Sequence, residues 1–122
     1  MLLALLTAVP ALANPITKYV EMNPAFITHI GEPAIRLSYA RAELSLRVSS
    51  DAAAEAVRAH MPQLRHAVLM LMAEPSVEAL SGSEGQDALR LRILDALNDV
   101  LASERTEATV DDVLFTTFVV QR

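Results

Sequence analysis

Residues 113–122 read Val-Leu-Phe-Thr-Thr-Phe-Val-Val-Gln-Arg, a run of β-branched and aromatic residues without Gly or Pro. Such a run specifies a strand. Both of its alternating sets are apolar. Val113, Phe115 and Val119 fall on one face, and Leu114, Phe118 and Val120 on the other. A strand apolar on both faces is covered on both. A chain of 122 residues can cover one face with its own helices. The expectation is that a neighbouring molecule covers the second.

That length suits one domain. Hydrophobic residues make up 52%, which excludes a disordered chain, and aromatics only 4%, so the core must be aliphatic. The net charge of −5 argues against non-specific binding to nucleic acid or an anionic membrane surface. Without cysteine there is no disulfide, thiolate chemistry or Cys-ligated metal.

Residues 1–13 carry no charge, and Ala11-Leu12-Ala13 has the small-x-small form of a signal-peptidase site. The stretch is shorter than the roughly 20 apolar residues that span a bilayer. It reads as a signal peptide or a truncated membrane anchor, with residues 14–122 as the mature domain. The competing reading, a buried N-terminal helix, is weakened by Pro10 and Pro15.

Residues 16–30 read as two short extended pieces broken at Asn23-Pro24. Gly31-Glu32-Pro33 is a turn that allows a hairpin. In residues 35–48, Ile35, Leu37 and Tyr39 alternate on odd positions and Ala42, Leu44, Leu46 and Val48 on even ones. A β-bulge near Ala40 would repair that change of phase.

Ser50 or Asp51 caps a helix. Val57, Met61, Leu64, Val68, Leu71 and Met72 then form a helical stripe that keeps phase across Pro62, so one kinked helix or two abutting ones are expected. Residues 77–80 make one turn, and residues 81–83 a loop. Residues 84–103 form the second long helix, with Leu89, Ile93, Leu94, Ala96, Leu97, Val100 and Leu101 inward. The element order β-β-α-α-β gives an α+β fold: a small antiparallel sheet with helices on one face.

Little in the chain suggests catalysis. His60 and His66 are six apart and share no helical face. His29 reads as a solvated strand histidine. Asp111 and Asp112 point to opposite faces of a strand and mark a solvated strand start. Residues 81–83 have neither a P-loop lysine nor a nucleophile elbow. The methionines are packing residues. No catalytic, metal or cofactor site is expected.

Several segments together resemble the FliL family of flagellar basal-body proteins. The opening extended segment is Tyr19-Val20-Glu21-Met22-Asn23-Pro24-Ala25-Phe26-Ile27, followed by the strand at residues 39–48. A helix with a Pro-x-x-Arg is matched by Pro62, Arg65, Val68, Leu69, Leu71 and Met72. A second helix is matched by Gly85, Leu89, Arg90, Ile93, Leu97 and Asn98. The closing strand is matched by Val113, Phe115, Thr116, Phe118, Val119 and Gln121. The resemblance implies a fold similar to the stomatin/prohibitin-like (SPFH) domain. It implies a non-enzymatic periplasmic scaffold that associates with itself, in a ring, beside the MotA–MotB stator at the inner membrane, with membrane association only where an N-terminal anchor is retained. The alternative is a secreted FliL-like domain that binds another membrane complex or a peptide by edge-strand addition.

On a helical wheel starting at Leu89, Leu91 falls at about 200°, on the polar face. Leu91 and its neighbours Arg90 and Arg92 are therefore candidate contacts to a second subunit or a partner, as are Phe115 and Phe118 of the terminal strand.

Overall fold

A computed structural model describes residues 17–30 and 38–121. The segment at residues 1–13, the turn at Gly31-Glu32-Pro33, and Ile35 and Leu37 lie outside the described residues. Three strands, β1 (Lys18–Ile30), β2 (Ser38–Val48) and β3 (Asp112–Gln121), form an antiparallel sheet in the order β1-β2-β3. Between β2 and β3 run four helices: α1 (Asp51–Ala59), α2 (Met61–Met72), α3 (Val77–Ser81) and α4 (Ser83–Ser103). The fold is α+β. No described helix is long and apolar enough to cross a membrane.

The central strand sets the layers. Ala40, Ala42, Leu44, Leu46 and Val48 are buried, whereas Tyr39 and Arg41 are exposed. α1 and α2 pack on β1, α3 and α4 pack on β3, and α2 packs against α4. The aliphatic core fills the space between, with Phe26 its one fully buried ring. Each buried Leu, Ile, Met or Phe contributes about 1.5–3 kcal/mol, so this one-sided burial dominates the fold.

Two expectations about the strands need correction. Residues 39–42 of β2 pair consecutively with both neighbours, so no bulge lies at Ala40. The irregularities sit on the flanking strands. β1 is a single strand rather than two pieces. It holds together because residues 23–25, which include a cis Asn23–Pro24 bond, bulge out between the Met22–Leu44 and Phe26–Ala42 pairs. On the other side the register shifts between the Glu43–Thr117 and Leu44–Phe115 pairs, leaving Thr116 as an extra residue in β3.

That extra residue overturns the face assignment of the terminal strand. Val113 and Phe115 face the helices opposite Leu46 and Leu44; beyond the bulge, Phe118 and Val120 do so opposite Ala42 and Ala40. Of the strand's apolar residues, only Leu114 and Val119 point to the outer face, opposite Ser45 and Arg41. An insertion of one residue reverses the alternation. The strand is apolar in both phases because it changes phase, not because both its faces are covered.

The helices follow the sequence closely. Ser50 caps α1, its hydroxyl accepting from the Ala53 N–H at 3.0 Å. Pro62 sits in the first turn of α2, where a missing N–H costs nothing. The two helices therefore abut at His60. Ser76 caps the short α3.

Gly85 is where α4 meets α3. A Cβ there would lie 1.7 Å from the Ala79 carbonyl oxygen, which is backbone and cannot rotate away. We expect Gly85→Ala to separate α3 from α4 and to cost about 1–3 kcal/mol. That lowers the thermal midpoint by several degrees; an unchanged melting curve would show that α3 moves freely.

Candidate functional site

The sheet has one face under the helices and one outside. Of the seven large hydrophobic side chains exposed among the described residues, five lie on this outer face: Tyr19, Ile27, Tyr39, Leu114 and Val119. Strand alternation puts them there. Ile27, Arg41 and Val119 align across the three strands, and so do His29, Tyr39 and Gln121. The His29 and Tyr39 rings approach with centroids 4.6 Å apart. Ile27, Tyr39, Arg41, Val119 and Gln121 line a shallow concavity of about 530 Å³. A clustered apolar surface of this kind suits macromolecular contact. Among the described residues, no group of three His, Asp or Glu side chains could hold a metal ion.

Glu43 joins the two irregular strands at the centre of this face. It stands opposite residues 23–25 on one side and the Thr116 insertion on the other. Its carboxylate accepts from Thr117 Oγ1 at 3.0 Å and Arg41 Nη2 at 3.1 Å, and its backbone oxygen accepts from Thr116 Oγ1 at 3.2 Å. The Thr117 hydroxyl, and after it Arg41, hold the Glu43 carboxyl below its ordinary value.

The five candidate contact residues are not one patch. Leu91 is 48% exposed on α4. Arg92 is exposed and pairs with Glu74 at 2.6 Å. Arg90 is more enclosed and ties α4 to β3. Its guanidinium reaches Asp112 at 2.6 Å and Asp87 at 2.9 Å. Phe115 and Phe118 are half-buried on the helix-facing side of β3, edge-to-face with centroids 4.9 Å apart.

Sequence reading missed three anchors, two of them provided by motif residues. Asn98, which the helical wheel puts among the polar residues, donates to the Val110 carbonyl at 3.0 Å and accepts from the Val110 N–H at 2.8 Å. It pairs with a buried backbone unit as a strand would, fixing where the chain leaves α4 for β3. Arg65 donates to the carbonyls of Pro24 at 2.7 Å and Met22 at 3.4 Å, and lies 4.1 Å over the Phe26 ring. It satisfies carbonyls that the β1 bulge takes out of the ladder. Burial lowers its pKa, yet a guanidinium remains charged in any ordinary buffer. Asp111 accepts from the Ser49 hydroxyl, and its N–H donates to the Arg47 carbonyl at 2.8 Å. Only the spacing of Pro62, Arg65, Leu97 and Asn98 hinted at these roles.

Two predictions follow from these contacts. Asn98→Ala leaves the Val110 N–H and C=O unpaired in a buried site, at a cost of about 2–4 kcal/mol in denaturant unfolding. A loss below about 0.5 kcal/mol would mean that water replaces the amide. The Glu43 value in the folded chain lies below that in the unfolded chain. Its stabilisation is therefore complete above the unfolded value and is lost as pH falls through the folded value. Glu43→Gln should thus be less stable than the parent at pH 7, with the gap closing on acidification. Urea midpoints at several pH values measure this, and a gap independent of pH would contradict it.

The model of the family described as flagellar basal body-associated protein FliL matches residues 19–121. A flagellar protein FliL from Aquifex aeolicus (strain VF5) is 28% identical over 101 residues, which are 83% of this chain and 60% of that protein. The chain thus spans about 60% of the length of the curated relative it matches. The matched region takes in the described strands and helices except Lys18 at the start of β1, with Gly85, Arg65 and Asn98 inside it, and on that ground the chain belongs to the FliL family of flagellar basal body-associated proteins.

Proposed function

We propose that this chain is a non-enzymatic scaffold of the flagellar basal body, placed in the periplasm at the inner membrane, which associates with itself and supports the MotA–MotB stator. The family match over residues 19–121 carries this reading. The five exposed apolar side chains on the outer face of the sheet support it, because they give the domain a surface suited to holding other proteins. The SPFH-like reading of the fold belongs to the same proposal and rests on the family resemblance. Export through residues 1–13 would deliver residues 14–122 to that compartment.

A second reading is favoured by one observation. Among the described residues β1 and β3 each pair on one side only. A secreted FliL-like domain could add an extended segment of another membrane complex at such an edge.

Leu91→Glu tests the first reading through a residue that the core does not use. We expect thermal stability to change by no more than about 0.5 kcal/mol, as at an ordinary exposed site. Recovery of MotA and MotB with the tagged protein from flagellated membranes should fall. If the variant melts early, Leu91 carries core contacts. If neither parent nor variant recovers stator proteins, the scaffold reading fails and the secreted one gains.

A further inference from the structure

The bulge at Thr116 makes β3 self-complementary. From Val113 to Val120 the residues read Val-Leu-Phe-Thr-Thr-Phe-Val-Val. Read from either end, the order of types is the same: a β-branched valine, an aliphatic residue, a phenylalanine, a threonine. The structure gives the faces the same symmetry. Val113, Phe115, Phe118 and Val120 point to the helices, and Leu114 and Val119 point outward. In a regular strand, residues 115 and 118 would lie on opposite faces. The inserted Thr116 brings them to one.

From this we infer that the free edge of β3 pairs antiparallel with β3 of a second copy, about a two-fold axis between Thr116 and Thr117, so that two three-stranded sheets join into one of six strands. The inference rests on the self-association proposed above and names its surface. In this register Leu114 meets Val119 of the second copy on the outer face. Phe115 meets Phe118 and Val113 meets Val120 on the helix side. A strand carrying an extra residue stays in phase only with a neighbour carrying one at the same place. A second copy does so by construction.

Charge selects the same occupant and direction. No residue from Val113 to Gln121 is charged. Antiparallel pairing sets Asp112 opposite Gln121, while parallel pairing would set Asp112 against its own copy. The other edge is guarded: β1 carries the bulge at residues 23–25, with Pro24 in it. β3 has no proline, and its outward side chains are partly exposed, Leu114 at 36% and Val119 at 49%. A seam of one strand pair is small beside the roughly 800 Å² per partner of a standard interface. The dimer is therefore weak in free solution and is favoured where copies are held close together.

Sedimentation equilibrium with charge-swapped variants of the whole chain tests this. The double variant Leu114→Lys/Val119→Lys sets lysines opposite lysines, and Leu114→Glu/Val119→Glu sets glutamates opposite glutamates. Each alone should dimerise at least about tenfold more weakly than the parent, with circular dichroism showing it folded. An equimolar mixture should recover a mixed dimer. If either variant unfolds, Leu114→Cys/Val119→Cys decides in its place, since the parent has no cysteine. Mild oxidation should then link position 114 of one copy to position 119 of the other. If the folded charged variants associate as the parent does, or the mixture stays monomeric, or the links join 114 to 114, the β3 seam is wrong while self-association stands. A parent that remains monomeric at millimolar concentration overturns both.

Discussion

A sheet with helices on one side must keep every inward side chain in phase, and this one does so across two interruptions. The extra Thr116 in β3 is the constraint on which the rest depends. Without it, Phe115 and Phe118 would face opposite ways, and one phenyl group would leave the core for solvent. A phenylalanine half-buried there is worth about 1 kcal/mol or more, at least as much as an exposed ion pair here returns, since pairs such as Arg92–Glu74 contribute about 0–1 kcal/mol. Packing therefore fixes the bulge, and the polar contacts of Glu43 with Thr116 and Thr117 hold it in place.

The residues that carry the resemblance in sequence mostly turn out to build the domain. Gly85 lets α3 and α4 touch. Arg90 ties α4 to the start of β3. Asn98 pins Val110. Arg65 satisfies the bulged carbonyls of β1. Each joins elements far apart in sequence, and each is hard to replace, because backbone groups or a fixed partner define its shape. The surfaces proposed for partners lie elsewhere: besides Leu91 on α4, they are the outer face of the sheet and the β3 edge.

Those two surfaces differ in kind. The outer face is broad and mixed, with aromatic, aliphatic and paired charged side chains around a shallow concavity. The β3 edge is narrow and symmetric, and it offers backbone groups. A domain that pairs with a second copy through an edge keeps its outer face free for a different protein.

Local patterning determined much of this. The helical stripe at Val57, Leu64, Val68 and Met72, the cap at Ser50, the abutting helices at Pro62 and the inward set on α4 are all short-range properties, decided within a few turns of chain. The α+β order, the exposure of Leu91 and the family resemblance were legible for the same reason. Strand phase was not. Whether an apolar run such as residues 113–120 has two covered faces or one bulge depends on what stands opposite, and Glu43 lies more than seventy residues away. The same holds for the bulge at residues 23–25, which the sequence showed only as a break at Pro24, and for Asn98, whose partner Val110 belongs to the next element. Periodicity along a chain reports which side chains want burial; only the neighbouring strands decide the register in which they obtain it.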